Sequence, residues 1–296
     1  MPQHKPEVDQ EVERYLRTGE TDAYAAAWAG QNLIESAKMA HDDLIGALIA
    51  SVKERSAGQT KPHTFRAPVN LGSLTRNRVE PMVRGLFPRA EHEPVMALVE
   101  HSVVFLTSAN IEATLLDCRW LHTAWDIANL YLGSLGVELL SEEAPCLVGL
   151  SEETTCFVSL HYFDEQDPFA DFVVHEVAHI FHNCKRESAG LRETRGREWL
   201  LEIGFRRRET FASACETYST IAKRGRSLHE RVALAEEFGR NVRIADDRVD
   251  PKELADIIQE ACDRRNGWKA ILARCSPPKA RKPRKEPATA APRSSG

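Results

Sequence analysis

Residues 172–181 read FVVHEVAHIF, an almost continuous apolar run that is interrupted by two histidines and one glutamate. In a helix, residues four apart lie on one face and one turn apart, so His175 and His179 can present their imidazoles to a single metal ion. Burying two imidazoles and a carboxylate in an apolar helix is costly unless a partner such as a metal ion compensates them. The segment therefore predicts a buried helix that binds one metal ion.

Glu176 follows the first histidine of this pattern. It is too far round the helix to be the natural third ligand, but it is well placed to accept a proton from a water molecule. Zinc binds histidine readily, lowers the pKa of a water molecule towards about 7 and polarises a carbonyl group. The H-E-x-x-H spacing thus predicts one Zn²⁺ ion on His175 and His179, with Glu176 as the general base of a hydrolytic reaction.

Two other interpretations of the motif are open. Histidines satisfied by hydrogen bonds in a helical core would bind no metal at all. A zinc-binding regulatory or interaction protein would hold the ion without hydrolysing a substrate. Stoichiometric zinc excludes the first of these, and cleavage of a substrate excludes the second.

A third ligand must come from elsewhere in the chain, because catalytic zinc sites usually have three protein ligands and one open position. The extended motif H-E-x-x-H-x-x-G-x-x-H is absent, since HEVAHIFHNCKRE lacks both the glycine and the last histidine. His182 lies too far along the helix axis to join both ligands, so we expect it beside them or in the packing. The remaining choice is a carboxylate further along the chain.

The chain here resembles the gluzincin branch of the H-E-x-x-H zincin metallopeptidases, over roughly residues 154–221. In that branch the third ligand is a glutamate on a second helix, some tens of residues after the motif. Residues 206–220, RRRETFASACETYST, carry Glu209 and Glu216 two turns apart on one helical face. The resemblance favours Glu209 as the ligand. Glu216 is either the ligand instead, or it replaces the aspartate that many gluzincins have where this chain has Ser213.

The resemblance also implies a fold and an activity. It implies a zincin-like core that hydrolyses peptide bonds, with a peptide or a protein as the substrate. In this superfamily the strand before the metal-binding helix forms the edge along which an extended substrate lies. We expect residues 154–163, TTCFVSLHYF, to be that strand. Tyr218 or His161 would stabilise the oxyanion.

Hydrophobic periodicity predicts an α+β protein that is mainly helical, with a small sheet of two or three strands in residues 139–163, next to the motif helix. Asp167 and Pro168 are expected to open that helix, as N-cap and first helical residue. The segment EWLLEIGF, residues 198–205, is expected to be helical. Further helices are predicted near 8–55 (two helices), 76–86, 94–106, from 107–110 to about 137, 206–224, 228–238 and 251–264.

Three regions are predicted along the chain: an N-terminal helical region 1–138, a zincin-like catalytic region with C-terminal helices 139–275, and a disordered basic tail 276–296. The tail carries six basic residues and one acidic residue, so it is net +5 in a chain of net charge -5. A solvated tail is the simpler interpretation. The alternative is a weak electrostatic handle for nucleic acid or another acidic partner.

The beginning of the chain and its cysteines bear on localisation. Residues 1–16, MPQHKPEVDQEVERYL, are polar and charged, without the apolar segment of a secretory signal. No stretch approaches the roughly 20 apolar residues that a membrane-spanning helix needs. The seven cysteines are scattered and form no C-x-x-C pair. We therefore expect a cytoplasmic protein with reduced cysteines and no membrane partner.

Overall fold

The computed structural model describes residues 5–58, 71–145, 149–152, 154–160, 163, 167–193, 197–242 and 246–278. Its helices, in chain order, are α1 (Lys5–Thr18), α2 (Leu33–Ser56), α3 (Leu71–Leu86), α4 (His92–Ser102), α5 (Ile111–Asp117), α6 (Leu121–Leu135), α7 (Phe172–Asn183), α8 (Arg208–Arg224), α9 (Leu228–Arg240), α10 (Pro251–Asp263) and α11 (Gly267–Cys275). Its strands are β1 (Val103–Phe105), β2 (Gly149–Glu152) and β3 (Thr155–Val158). The prediction of a mainly helical α+β protein with a small sheet is confirmed.

The sheet has the order β1-β3-β2, and β3 is its central strand. β2 pairs with β3 in antiparallel orientation, whereas β1 pairs with β3 in parallel, with Val104 opposite Phe157. The prediction that β3 is the edge for a substrate was therefore wrong, because both of its edges are occupied. The predicted helix 94–106 was also too long, since Val103–Phe105 pairs with β3 instead of continuing α4.

The motif helix α7 begins four residues later than predicted. Its N-cap is Asp171, whose carboxylate accepts a hydrogen bond from the Val174 N–H at 3.4 Å. Asp167, the predicted N-cap, instead accepts from the Phe169 N–H at 2.8 Å and closes a turn before the helix. Both aspartates satisfy a free backbone N–H, and local sequence alone does not distinguish the two roles.

Two other predicted helices differ from the structure. The long helix from 107–110 is divided into α5 and α6, because Trp120 has an extended backbone with φ −108° and ψ 122°. The EWLLEIGF segment contains no α-helix, and only its last residue, Phe205, belongs to a short 3₁₀-helix. Its Leu200 N–H donates to Cys184 O at 3.0 Å and its Leu201 N–H donates to Phe181 O at 2.7 Å. These bonds with the end of α7 replace the hydrogen bonds of a helix.

Two hydrophobic clusters lie on opposite faces of the sheet. One cluster joins α1, α2, α5 and α6 and includes Phe157. The other joins α3, α4 and α7 to α11 and includes Cys156 and Val158, as the alternation of side chains along β3 requires. α3 and α4 thus pack with the motif helix, although they precede residue 138. The division into regions 1–138 and 139–275 stays a prediction.

Two further expectations concern cysteines and membranes. The cysteines in the described ranges, Cys118, Cys156, Cys184, Cys215, Cys262 and Cys275, are all buried and form no disulfide. No helix among the described residues is both long and apolar enough to cross a bilayer. The predicted disordered tail lies almost wholly outside the described residues.

Candidate metal centre

α7 and α8 pack against each other and bring three possible metal ligands together. The histidine Nε2 atoms of His175 and His179 are 3.2 Å apart. The Oε2 atom of Glu209, in the first turn of α8, lies 3.4 Å from the Nε2 atom of His179 and 3.9 Å from that of His175. The three side chains are only about 11 to 21% exposed. This group could hold a metal ion.

The spacing of these atoms fits a small divalent ion. Ligand atoms bound about 2.0–2.1 Å from a tetrahedral ion are separated from one another by about 3.3 Å. The three measured separations, 3.2, 3.4 and 3.9 Å, lie close to that value. The group therefore resembles three corners of a tetrahedron, and among the described residues no fourth histidine, cysteine, aspartate or glutamate joins it. Two imidazoles and a carboxylate suit zinc and several other transition metals.

Glu216 contacts the opposite side of the His175 ring. Its Oε2 atom lies 2.9 Å from His175 Nδ1, and its Oε1 atom accepts the Asp171 backbone N–H at 2.8 Å. A carboxylate on Nδ1 holds the proton there and leaves the Nε2 lone pair directed towards His179 and Glu209. Glu209 thus lies beside the Nε2 atoms of both histidines, whereas Glu216 lies at the Nδ1 atom of His175. The structure therefore distinguishes the candidate ligand from the glutamate that orients a histidine, a choice that the sequence left open.

The charge balance at His175 favours a cation. Burial by itself would lower the pKa of His175. The adjacent Glu216 carboxylate, together with Glu176 and Glu209, outweighs burial and raises that pKa to about 9. The metal-free site therefore holds a proton near neutral pH, at the position where a metal ion would carry the positive charge.

His182 lies behind His179, as expected for a residue beside the ligands. Its Nε2 atom is 3.0 Å from His179 Nδ1, and its Nδ1 atom is 3.1 Å from Asn183 Oδ1. Burial lowers the pKa of His182 to about 3, and the positive charge of the nearby Arg208 acts in the same direction. His182 is thus a neutral imidazole in a buried chain of hydrogen bonds.

Glu176 is buried against β2. Ser151 donates a hydrogen bond to the Glu176 carboxylate and lies 3.1 Å from its backbone oxygen. Gly149 allows this approach, because a Cβ atom there would lie 2.6 Å from Glu176 Oε1. Sequence analysis missed both residues, because nothing in the β2 sequence, GLSE at residues 149–152, indicates contact with a helix that begins twenty residues later. β2 therefore fixes the position of the predicted general base.

Arg248 is a second residue that sequence analysis missed. Its Nη2 atom lies 3.0 Å from Glu209 Oε1, the oxygen that faces away from the histidine pair. Its Nε atom donates to Asp246 Oδ1 at 2.9 Å. Burial would raise the pKa of Glu209, but His179, Arg248 and His175 together lower it. Arg248 thus pairs with one carboxylate oxygen of Glu209 and leaves the other facing the two histidines.

Of the two residues expected to stabilise an oxyanion, only Tyr218 belongs to the described structure, and its hydroxyl faces Gly267 instead of the three candidate ligands. Tyr218 is buried, packs against Trp268 with ring centroids 4.8 Å apart, and accepts the Gly267 N–H at 3.3 Å. Burial raises the pKa of its hydroxyl. Tyr218 is therefore a core residue, and its predicted role was wrong. His161 lies outside the described residues.

Comparisons with protein-family models, with curated proteins and with solved structures found no match. Functional inference for this chain therefore begins from the geometry of the metal centre itself.

Proposed function

We propose that the protein is a zinc-dependent metallopeptidase with a zincin-like core. His175, His179 and Glu209 would hold the zinc ion, and Glu176 would be the general base. The observation that carries the proposal is the convergence of three ligand atoms from α7 and α8 at near-tetrahedral separations. A set of three protein ligands with one open position is typical of catalytic zinc and not of structural zinc.

Different residues of the protein would transfer the proton and position the group that transfers it. Zinc, when bound, would polarise the scissile carbonyl and acidify water. Glu176 accepts a proton from the attacking water as the new C–O bond forms, and it donates that proton to the leaving amine as the C–N bond breaks. Ser151 and Gly149 hold the carboxylate in one place throughout. A fixed base needs less reorganisation during the reaction.

The substrate would lie along β2 and not along β3. In the described sheet β2 pairs only with β3, so it forms one edge of the sheet. It also contacts α7 and holds Glu176. An extended peptide added to this edge would bring its backbone next to the general base and would be bound mainly through main-chain hydrogen bonds.

Glu176→Gln tests the proposal, because glutamine keeps the size of the side chain and removes the base. We expect wild type to carry one zinc per chain by elemental analysis and to cleave members of a peptide library, measured by mass spectrometry. The variant should keep the zinc and lose cleavage by about 10²–10⁴-fold. Glu237→Gln, an exposed glutamate on α9, is the matched control and should retain full activity.

The possible results separate the alternatives. Equal cleavage by wild type and Glu176→Gln would refute the role of the base. A wild-type protein that holds zinc and cleaves no peptide would support the non-hydrolytic zinc-binding role. A wild-type protein without affinity for zinc would refute the metal centre as a whole.

A further inference from the structure

A chain of hydrogen bonds leads from His179 away from the metal centre to the start of α8. His179 Nδ1 lies 3.0 Å from His182 Nε2, and His182 Nδ1 lies 3.1 Å from Asn183 Oδ1. The same oxygen accepts a hydrogen bond from Arg208 Nη1 at 3.3 Å. The two histidines are buried, whereas Asn183 and Arg208 are half-buried. The chain thus joins a predicted metal ligand to a permanently charged residue.

The guanidinium determines the direction of every hydrogen bond in this chain. Arginine has only donors, so the Asn183 atom that faces it must be the carbonyl oxygen. That oxygen accepts, so His182 carries its proton on Nδ1 and, as a neutral ring, has a lone pair on Nε2. His179 must then carry a proton on Nδ1 in order to donate to His182. The remaining nitrogen, His179 Nε2, has a lone pair directed at Glu209 and His175.

We propose that Arg208 is a positioning residue that selects the metal-binding tautomer of His179, acting through Asn183 and His182. The proposal rests on the metal-binding half of the proposed function and is independent of hydrolysis. His175 is treated differently, because the Glu216 carboxylate contacts its Nδ1 atom directly. α8 carries Arg208, Glu209 and Glu216, so one helix supplies a ligand and also orients both histidines.

Without the guanidinium, the hydrogen bonds between Asn183, His182 and His179 could also form with donors and acceptors exchanged. The Asn183 amide could then turn its NH₂ group towards His182, whose proton would move to Nε2. His179 would in turn carry its proton on Nε2, where the ion should bind. Metal binding would have to reverse this arrangement, and residues that orient ligand histidines typically contribute about 10- to 100-fold to metal affinity.

The first experiment measures the zinc dissociation constant of Arg208→Met by chelator competition. The guanidinium carbon of Arg208 lies 5.4 Å from the centre of the Phe205 ring. Methionine keeps an unbranched apolar side chain and removes the donors. We expect zinc binding at least about 10-fold weaker than in wild type. Arg207→Met is the matched control, because the neighbouring Arg207 pairs with Glu253, whereas Arg208 bonds to Asn183. Its zinc affinity should equal that of wild type.

The second experiment is a rescue that a packing role for Arg208 would not allow. An aspartate carboxylate at position 183 can only accept hydrogen bonds. It therefore keeps the proton of His182 on Nδ1 without help from a guanidinium. Arg208→Met/Asn183→Asp should therefore recover most of the lost affinity, while Asn183→Asp alone should stay near wild type. An affinity of the double variant as low as that of Arg208→Met would overturn the proposal.

The third measurement uses the unmodified chain and does not depend on the folding of a variant. Nitrogen-15 spectra of the imidazoles should show His182 with its proton on Nδ1. A proton on Nε2 of His182 would overturn the proposal. If wild type binds zinc tightly and Arg208→Met binds it equally well, this inference fails alone. If wild type binds no zinc, the proposed function fails first.

Discussion

At the scale of single residues, His175 shows how one ring can serve two purposes. Its Nδ1 atom meets Glu216 at 2.9 Å, while its Nε2 atom faces His179 and Glu209. The carboxylate that orients the ring also strengthens its attraction for a proton. A proton and a metal ion therefore compete for the same nitrogen, and pH should control the result.

We predict that zinc affinity rises with pH between 7 and 9. Burial alone would lower the pKa of His175, but Glu216, with Glu176 and Glu209, raises it to about 9. The imidazole is thus protonated below pH 9 in the metal-free protein, and the ion must displace that proton. Apparent affinity should increase about tenfold per pH unit up to about 9 and then level off. Calorimetry in buffers of different ionisation enthalpy should detect about one released proton at pH 7.

Glu216→Gln is the control for this pH dependence. It removes the strongest of the influences that raise the pKa of His175, so fewer protons should be released at pH 7. Zinc binding should also weaken by about 10-fold or more, since the ring loses its orienting carboxylate. A wild-type zinc affinity that is constant from pH 7 to 9 would contradict the prediction.

At the scale of secondary structure, the pairing of α7 with α8 determines the centre. Ala212, three residues after Glu209 and four before Glu216, shares their face of α8 and is fully buried, so its small side chain allows the two helices to approach closely. Asp171, the fully buried N-cap of α7, is paired with Lys223 of α8 at 2.7 Å and with Arg78 of α3 at 3.2 Å. This carboxylate thus joins the start of the motif helix to two neighbouring helices.

We predict that Asp171→Asn destabilises the protein chiefly through the lost charge. Asparagine is an equally good N-cap, so the helix start should survive. Lys223 and Arg78 would lose their buried counter-charge, a change that typically costs 3–5 kcal/mol when the partners are fully buried. Both cations are partly exposed, so we expect about 3 kcal/mol in the free energy of unfolding, measured with denaturant.

Asp250→Asn supplies the matched comparison, because Asp250 is the exposed N-cap of α10. This change should alter the free energy of unfolding by no more than about 0.5 kcal/mol. An equally small effect at Asp171 would mean that the buried charge contributes little to holding the two helices together.

At the scale of the whole molecule, the centre depends on packing between distant parts of the chain. α3, from the first third of the sequence, packs in the same hydrophobic cluster as α7, α8 and α11. Gly85 of α3 lies against the Trp268 ring of α11, because the missing side chain of the glycine makes room for that ring. Asn266 also donates to Gly85 O at 3.0 Å. α11 therefore completes the hydrophobic cluster in which the motif helix α7 is packed.

We predict that Gly85→Ala destabilises the protein although alanine favours a helix. The added Cβ atom would overlap the Trp268 ring, which is almost fully buried. Such overpacking typically costs 1–3 kcal/mol and should exceed the gain of about 1 kcal/mol in helix propensity. Denaturant unfolding should show a net loss of about 1–2 kcal/mol.

Gly46→Ala in α2 is the comparison, because a Cβ atom there would meet nothing within 4 Å. This substitution should stabilise the protein by up to about 1 kcal/mol. If both alanine variants gained stability, close packing of α3 against α11 would not be required.

The sequence by itself determined the features that depend on short spacings. His175, Glu176 and His179 stand at positions i, i+1 and i+4 of an apolar helix, and helical geometry alone brings the two histidines together. Helical periodicity likewise identified most helices, and the run TTCFV identified β3 as a strand, although its central position in the sheet came only from the structure. Prediction of secondary structure from periodicity was least reliable where backbone groups form hydrogen bonds with distant parts of the chain, as in β1 and in residues 199–201.

Only the tertiary structure decided what surrounds the motif. Glu209 and Glu216 share one face of α8, and which of them meets the histidine Nε2 atoms depends on how α8 crosses α7. Ser151 and Arg248 reach the centre from a strand and a loop, where no local pattern marks them. The physical reason is that periodicity specifies which side of a helix is buried, whereas ligand geometry depends on ångström-scale packing between elements far apart in the chain.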